Sequence, residues 1–358
     1  MAQVAAVCLE AEHNGKPELN HSRGDTIMAQ LVLGIASSHA PQLEMPPGTW
    51  RAYGDIGRRQ NRHWFGGNTY TFSELADLRA QEHLDKECTD EKFVARWNSS
   101  QKAIAHLSQT LSDTKPDICL ILGDDQMESF NDENMPSFCI YYGESVDDMA
   151  SNRGFRATYS DLKVANAPSE RSTHPTSAAF GHHLIESMTR NEFDVARSNK
   201  LPAGRGDGTI GHAFFYVYRR LMDNSVTTNV PVLVNTYYPP NAPTAKRCYD
   251  FGKALRQAIQ EWPGDEKVAV FASGGLSHTV IEEELDARII DGLRHDDVTK
   301  LTDYPDERFR GGTSEIKNWV ALAGAMSGAG LAMDLVDYVP CYRTEAGTGC
   351  AMGFAEWK

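Results

Sequence analysis

The chain has 358 residues, 41% of them hydrophobic, enough for one large α/β domain or two smaller ones with a real core. Lys and Arg number 35 against 49 Asp and Glu, and a formal net charge of −14 speaks against a nucleic-acid backbone or an anionic membrane surface as partner, which leaves a small molecule. The 7 cysteines are scattered without a CxxC pair, so neither a disulfide framework nor a thiolate zinc site is indicated, and no apolar run nears the roughly 20 residues that cross a bilayer; a cytoplasmic protein is expected.

Residues 1–27 are mostly polar, and Met28-Ala29-Gln30-Leu31 nearly repeats Met1-Ala2-Gln3-Val4. The stretch 1–27 is therefore expected to be a disordered N-terminal extension before a single catalytic domain over 28–358. Residues 31–36, LVLGIA, predict a buried strand stopped by Ser37-Ser38-His39-Ala40-Pro41, which leaves His39 just past its carboxyl end. The segment 42–95 is rich in Gly, Pro, Arg and aromatic residues before it turns helical over 72–87. An insertion of this length predicts a lid over a site or an oligomer contact.

Apolar residues at helical spacing, from Phe93 to Leu111, predict a helix, and the apolar run 118–122 predicts a strand ending in Gly123-Asp124-Asp125-Gln126. A further strand is expected over 137–142 and a helix over 178–189. That helix carries His182-His183, which as neighbours point about 100° apart and are assigned to surface or capping roles. Gly204, Gly206, Gly208 and Gly211 lead into His212, but no Lys-Ser/Thr follows, so this is no phosphate loop. The apolar run 230–236 predicts a strand ending at Tyr237, followed by a helix over 244–262.

Residues 268–272 form another apolar run, and Ser273-Gly274-Gly275 carry it into a tight turn that presents His278. Glu282, Glu283 and Glu284 then open a helix that runs through 293, acidic where a helix N-terminus favours negative charge. His278 and Glu284 are thus expected to meet at the mouth of the sheet. Residues 315–326 predict a small-residue helix, and 338–358 a Gly-rich tail. Strands alternating with helices imply an α/β fold, a mostly parallel or mixed sheet flanked by helices, with the active site at the strand carboxyl ends. His39, Asp125-Gln126, Tyr237 and His278 all fall at such ends. Loop histidines, a carboxylate and an amide are the ingredients of a mononuclear non-haem metal site, although twelve scattered histidines also produce such sets by chance.

Several strings sharpen the picture: Ser38-His39-Ala40-Pro41, Asp125-Gln126 followed by Met135-Pro136-Ser137-Phe138, Gly211-His212-Ala213-Phe214, Ser273-Gly274-Gly275-Leu276-Ser277-His278, Glu284-Leu285-Asp286 and Glu315-Ile316-Lys317-Asn318-Trp319. With them the chain resembles the class III extradiol ring-cleaving dioxygenases, the family of the protocatechuate 4,5-dioxygenase catalytic subunit, and most of all its gallate and 3-O-methylgallate members. The resemblance implies Fe(II) held by His39, Gln126 and Glu284, with His278 as the acid/base group and His212 as a supporting donor. It implies an aromatic diol and dioxygen as substrates, and a homo-oligomer, most simply a dimer, is expected. Where the family has Asp-His, this chain has Asp125-Gln126. Ligation through the Gln126 amide oxygen is expected, with Asp124, Asp125 or Glu128 as alternatives, and the harder oxygen ligand shifts preference toward Mn(II). Arg205, Tyr342 and Arg343 are candidates to meet a substrate carboxylate. Two other readings stand beside this one: a metal-poor relative that binds an aromatic ligand or a partner without oxidising it, and a hydrolase using Glu284 and His278 to activate water.

Overall fold

The computed structural model describes residues 28–148, 171–203 and 207–358; the extension expected over 1–27 and the loop residues Gly204, Arg205 and Gly206 lie outside the described residues. In chain order its first strands are β1 (Gln30–Ser37), the hairpin β2 (His63–Phe65) and β3 (Asn68–Tyr70), β4 (Ile118–Asp124), β5 (Phe138–Tyr141), β6 (Ser145–Asp148) and β7 (Ser172–Pro175). They are followed by β8 (Ala196–Ser198), β9 (Asn229–Val234), β10 (Lys267–Ser273), β11 (His278–Val280), β12 (Met333–Tyr342) and β13 (Thr348–Trp357).

Four of these, in the order β1-β10-β4-β9, form a parallel centre. They are the near-continuous apolar runs of the sequence, as strands covered on both faces require. Successive side chains go to opposite faces. Leu120, Leu122, Val232 and Val270 enter one core, with the helices Ala178–Arg190, Ala245–Gln260 and Ile316–Met326, while Cys119, Ile121, Leu233 and Phe271 enter the other, with the helices Asp90–Thr114 and His212–Tyr216. The Ala245–Gln260 and Ile316–Met326 helices approach backbone to backbone: a Cβ at Gly252 would press on the Ala321 carbonyl and one at Gly324 on the Tyr249 carbonyl. The flanks turn antiparallel, β5 against β9 and β13 against β1, so the α/β fold is mixed at its edges.

Two expectations change. The Gly-rich tail is the antiparallel pair β12–β13, and β13 also pairs with β11. Its small residues carry no alternation for the eye to find, yet they are required, since a Cβ at Gly353 would stand 2.8 Å from Leu276 and 2.9 Å from Trp319. The insertion 42–95 is more regular than predicted, with a helix at Trp50–Arg59, the β2–β3 hairpin and a helix at Phe72–Leu78 that begins on a Thr71/Glu74 capping box and continues as the 3-10 turns Ala80–Glu82 and Leu84–Glu87, so the helical character expected over 72–87 is present in broken form. The hairpin leans on the elements that follow β10: Gly66 N–H donates to Glu282 Oε1 at 3.1 Å, and Trp64 packs against Gly311. No helix among the described residues is long and apolar enough to cross a membrane.

Candidate metal and catalytic centre

The carboxyl ends of β1, β4, β9 and β10 lie side by side, and the residues just past them converge. His39 follows β1 and is buried. Its Nδ1 lies 3.0 Å from Ser273 Oγ, and that hydroxyl donates its one proton to the Ala213 carbonyl at 2.6 Å. Ser273 must therefore accept from His39 Nδ1–H, which turns the lone pair of His39 Nε2 inward. His278 is oriented the same way, because its Nδ1 is 2.8 Å from the Leu276 carbonyl, which can only accept. His212, the first residue of its helix, has Nδ1 at 2.7 Å from Glu128 Oε2, and its backbone N–H donates to the same carboxylate at 3.1 Å. Three imidazoles from three distant segments thus aim Nε2 at one space.

Two buried carboxylates share it. Glu315 Oε2 lies 3.3 Å from His39 Nε2 and Glu315 Oε1 3.2 Å from His278 Nε2, while Gly275 N–H at 2.8 Å and Tyr237 Oη at 2.7 Å also donate to this group. Asp124, the last residue of β4, has Oδ1 at 3.9 Å from His39 Nε2. Burial, with Glu315 nearby, pushes Asp124 up to about 6. Burial also works to raise Glu315, but the imidazoles of His278 and His39 outweigh it and hold Glu315 well below the usual carboxylate range. Burial pulls His212 down, yet the Glu128 carboxylate more than offsets this and lifts the imidazolium to about 10; His278 is raised in the same way by Glu315 against its burial.

His39, Asp124 and His212 offer ligand atoms all within 4.8 Å of one another. Donors bonded at about 2.0–2.2 Å to one ion must be that close. Imidazole nitrogens fixed by partners on their far side, together with anionic oxygens, are a fitting set for a divalent transition metal.

His39, His212 and His278 are brought together; Glu284 is not. Glu284 is exposed on the first turn of the Glu283–His295 helix. The antiparallel pairing of β11 with β13 carries the chain away from the site, and the helix then turns Leu285 and Asp286 inward instead. Asp286 accepts from Ser277 N–H at 2.8 Å, Ser277 Oγ at 2.6 Å and Tyr338 Oη at 2.8 Å, and so braces the turn that carries His278. The carboxylate at the centre is Glu315, delivered by the 3-10 turn Gly311–Glu315. Its signal in the sequence was a lone acid at the head of an apolar helix, behind two glycines. The hydrolase reading loses the Glu284–His278 pair on which it rested.

Gln126 reaches the centre, but with its nitrogen inward rather than the oxygen expected to ligate: Nε2 is 3.2 Å from Asp124 Oδ2, 3.1 Å from Tyr237 Oη and 3.2 Å from Glu315 Oε1. Asp125 accepts from the backbone N–H groups of Ser129 and Phe130 at 2.9 and 2.8 Å, and Glu128 holds His212, so neither of these two alternatives to Gln126 faces the space. Tyr342 donates to Glu283 at 2.6 Å and the Arg343 guanidinium stacks 3.8 Å over the Tyr53 ring, while Arg205 lies outside the described residues.

A mixed α/β sheet whose strand ends gather imidazoles and carboxylates into one buried centre defines a class, and the comparisons agree with it. Residues 89–349 match the model of the catalytic LigB subunit of aromatic ring-opening dioxygenases, and the chain belongs to that family. It is 34% identical over 164 residues to the gallate dioxygenase of Pseudomonas putida, a match covering 42% of this chain and 46% of that protein. It is 25% identical over 180 residues to the 2,3-dihydroxyphenylpropionate/2,3-dihydroxicinnamic acid 1,2-dioxygenase of Comamonas testosteroni, covering 49% of this chain and 48% of that one. The matched part therefore spans about half the length of each relative.

Proposed function

We propose that the protein is a metal-dependent dioxygenase that opens the ring of a catechol- or gallate-type aromatic acid beside its diol, the extradiol mode, using dioxygen. The observation that carries this reading is the convergence of His39, His212 and His278 Nε2 on the Glu315 and Asp124 carboxylates. His39, Asp124 and Glu315 would hold the ion, with His212 left beside them because Glu128 keeps its Nε2 protonated; the ion is Fe(II) by the family resemblance, with Mn(II) as the alternative that a second carboxylate favours. Such an ion supplies open positions where a diol and dioxygen can meet and a path for electrons between them.

The remaining residues handle protons and orientation. His278, with Nδ1–H committed to the Leu276 carbonyl, would take a proton from a substrate hydroxyl and return it to the opened product through Nε2, the nitrogen that faces Glu315 Oε1. His212 is clamped by Glu128 and offers Nε2–H to a substrate oxygen in its charged form. Tyr237 keeps Glu315 in place by donating to Oε1. The β2–β3 hairpin, seated on the chain around Glu282 and Gly311, is the part of the insertion best located to limit access of water to His278.

The test is direct. The full-length protein, loaded anaerobically with Fe(II), should consume one dioxygen per ring with a trihydroxybenzoate or methoxy-dihydroxybenzoate and place both atoms of labelled dioxygen in a ring-opened acid. Bound iron with no oxygen uptake across such a panel would overturn the proposal. The inward nitrogen of Gln126 favours one second reading, a relative that binds an aromatic ligand without oxidising it. That reading expects substoichiometric metal and aromatic binding that survives chelation.

A further inference from the structure

We propose that the side-chain amide of Gln126 is a built-in occupant of the metal cage, a neutral donor that stands in for a cation between Asp124 and Glu315 and must swing out before an ion can bind. The inference rests on the reading of this centre as a metal site. Gln126 Nε2 has four polar neighbours, Asp124 Oδ2 at 3.2 Å, Tyr237 Oη at 3.1 Å, Glu315 Oε1 at 3.2 Å and His212 Nε2 at 3.5 Å. Two carboxylates facing one amide select its N–H2 end, since the carbonyl oxygen there would set lone pairs against lone pairs. An amide nitrogen has no lone pair to give a metal. It spends its two N–H groups on the same oxygens that would ligate one, so amide and ion compete for the same partners.

The loop is built for such a movement. Asp125, before Gln126, is pinned by the N–H groups of Ser129 and Phe130, and Glu128, after it, is pinned by His212. Between these anchors Gln126 is only half-buried, and Met127 takes a left-handed backbone conformation, φ 57°, that a non-glycine residue holds only where its surroundings enforce it. The Gln126 side chain can therefore turn outward about its own bonds while the backbone that fixes Asp124 and His212 stays in place. In this chain Gln126 would control how readily the centre loads.

The experiment compares the wild-type full-length protein with Gln126→Ala and with Gln126→Met, which keeps the length of the side chain without its donors. Each is stripped with chelator and checked for folding by circular dichroism, its metal-free melting midpoint is recorded, and Mn(II) is titrated in by calorimetry. Removing the competitor should tighten Mn(II) binding by about tenfold or more in both variants, while the metal-free midpoint falls because Asp124 and Glu315 lose their donor. Weaker binding in both variants would mean that the amide ligates through its oxygen, and unchanged binding would mean that it is a bystander; either overturns the inference and leaves the metal site standing. Binding by none of the three proteins would overturn the metal site itself and the inference with it.

Discussion

Glu315 Oε1 lies 3.2 Å from His278 Nε2, and through its other oxygen the same carboxylate stands 3.3 Å from His39 Nε2. One side chain from the head of an apolar helix therefore joins the residues past β1 and β10. Glu315→Gln keeps the shape and removes the charge, and a ligand lost from such a centre should weaken metal binding by at least the roughly 10–100-fold seen when supporting partners are removed. Glu284→Gln, on the exposed helix start, should leave metal content unchanged. Metal analysis of the two variants after identical loading decides between the two carboxylates.

The His278 ring is held between two glycines. A Cβ at Gly275 would stand 2.6 Å from His278 Cε1 and Nδ1, and one at Gly312 would press on Cδ2. Gly312→Ala should displace the imidazole without touching His39 or Asp124. Misplacing an acid/base group by about 1 Å costs roughly 100-fold in rate. Turnover should fall by that order while metal content stays near wild type, and the melting midpoint should fall as well because the same methyl would stand 2.6 Å from the His278 carbonyl oxygen; equal turnover would show that His278 does not handle the proton.

Asp286 gives a pH signature. Burial pushes its carboxyl up to about 7 from an ordinary value of 3.8, although its hydrogen bonds from Ser277 and Tyr338 pull the other way. The folded protein then keeps this proton at a pH where the unfolded chain has lost it, so this group's contribution to stability is greatest below pH 3.8 and declines as pH rises toward about 7. Asp286→Asn removes that titration. Urea midpoints measured across this range should fall less steeply with rising pH in the variant than in the wild type, and parallel curves would contradict the assignment.

The helix crossing offers a control far from the chemistry. Gly324→Ala drives a methyl group into the Tyr249 carbonyl. Overpacking of this kind costs typically about 1–3 kcal/mol. The variant should melt earlier yet bind metal with unchanged affinity, measured by calorimetry below its transition.

Much of the architecture could be read directly from the chain. β1, β4, β9 and β10 are legible because strands covered on both faces must be apolar throughout, and His39 and His278 are visible because each follows an apolar run where the chain reaches a strand end, whereas His212 gains a role only through the family resemblance. The β12–β13 pair was missed because its close contacts with Leu276 and Trp319 demand glycine, and glycine conceals the pattern. Nearness in sequence to His278, together with the family resemblance, points to Glu284, and nothing in the sequence marks Glu315 as a ligand. Which of the two turns inward depends on the direction β11 takes against β13, a pairing between distant segments that nothing local in the sequence encodes. The nitrogen-inward amide of Gln126 is of the same kind, set by carboxylates that arrive from β4 and from the Gly311–Glu315 turn.

The most direct test is the position of the ion. Crystals of the full-length protein grown with Fe(II) or Mn(II), with data collected on both sides of the metal absorption edge, should show one anomalous peak at about 2.0–2.3 Å from His39 Nε2 and from oxygens of Glu315 and Asp124. A peak beside Glu284, or metal-saturated crystals with no peak between His39 and Glu315, would contradict the account.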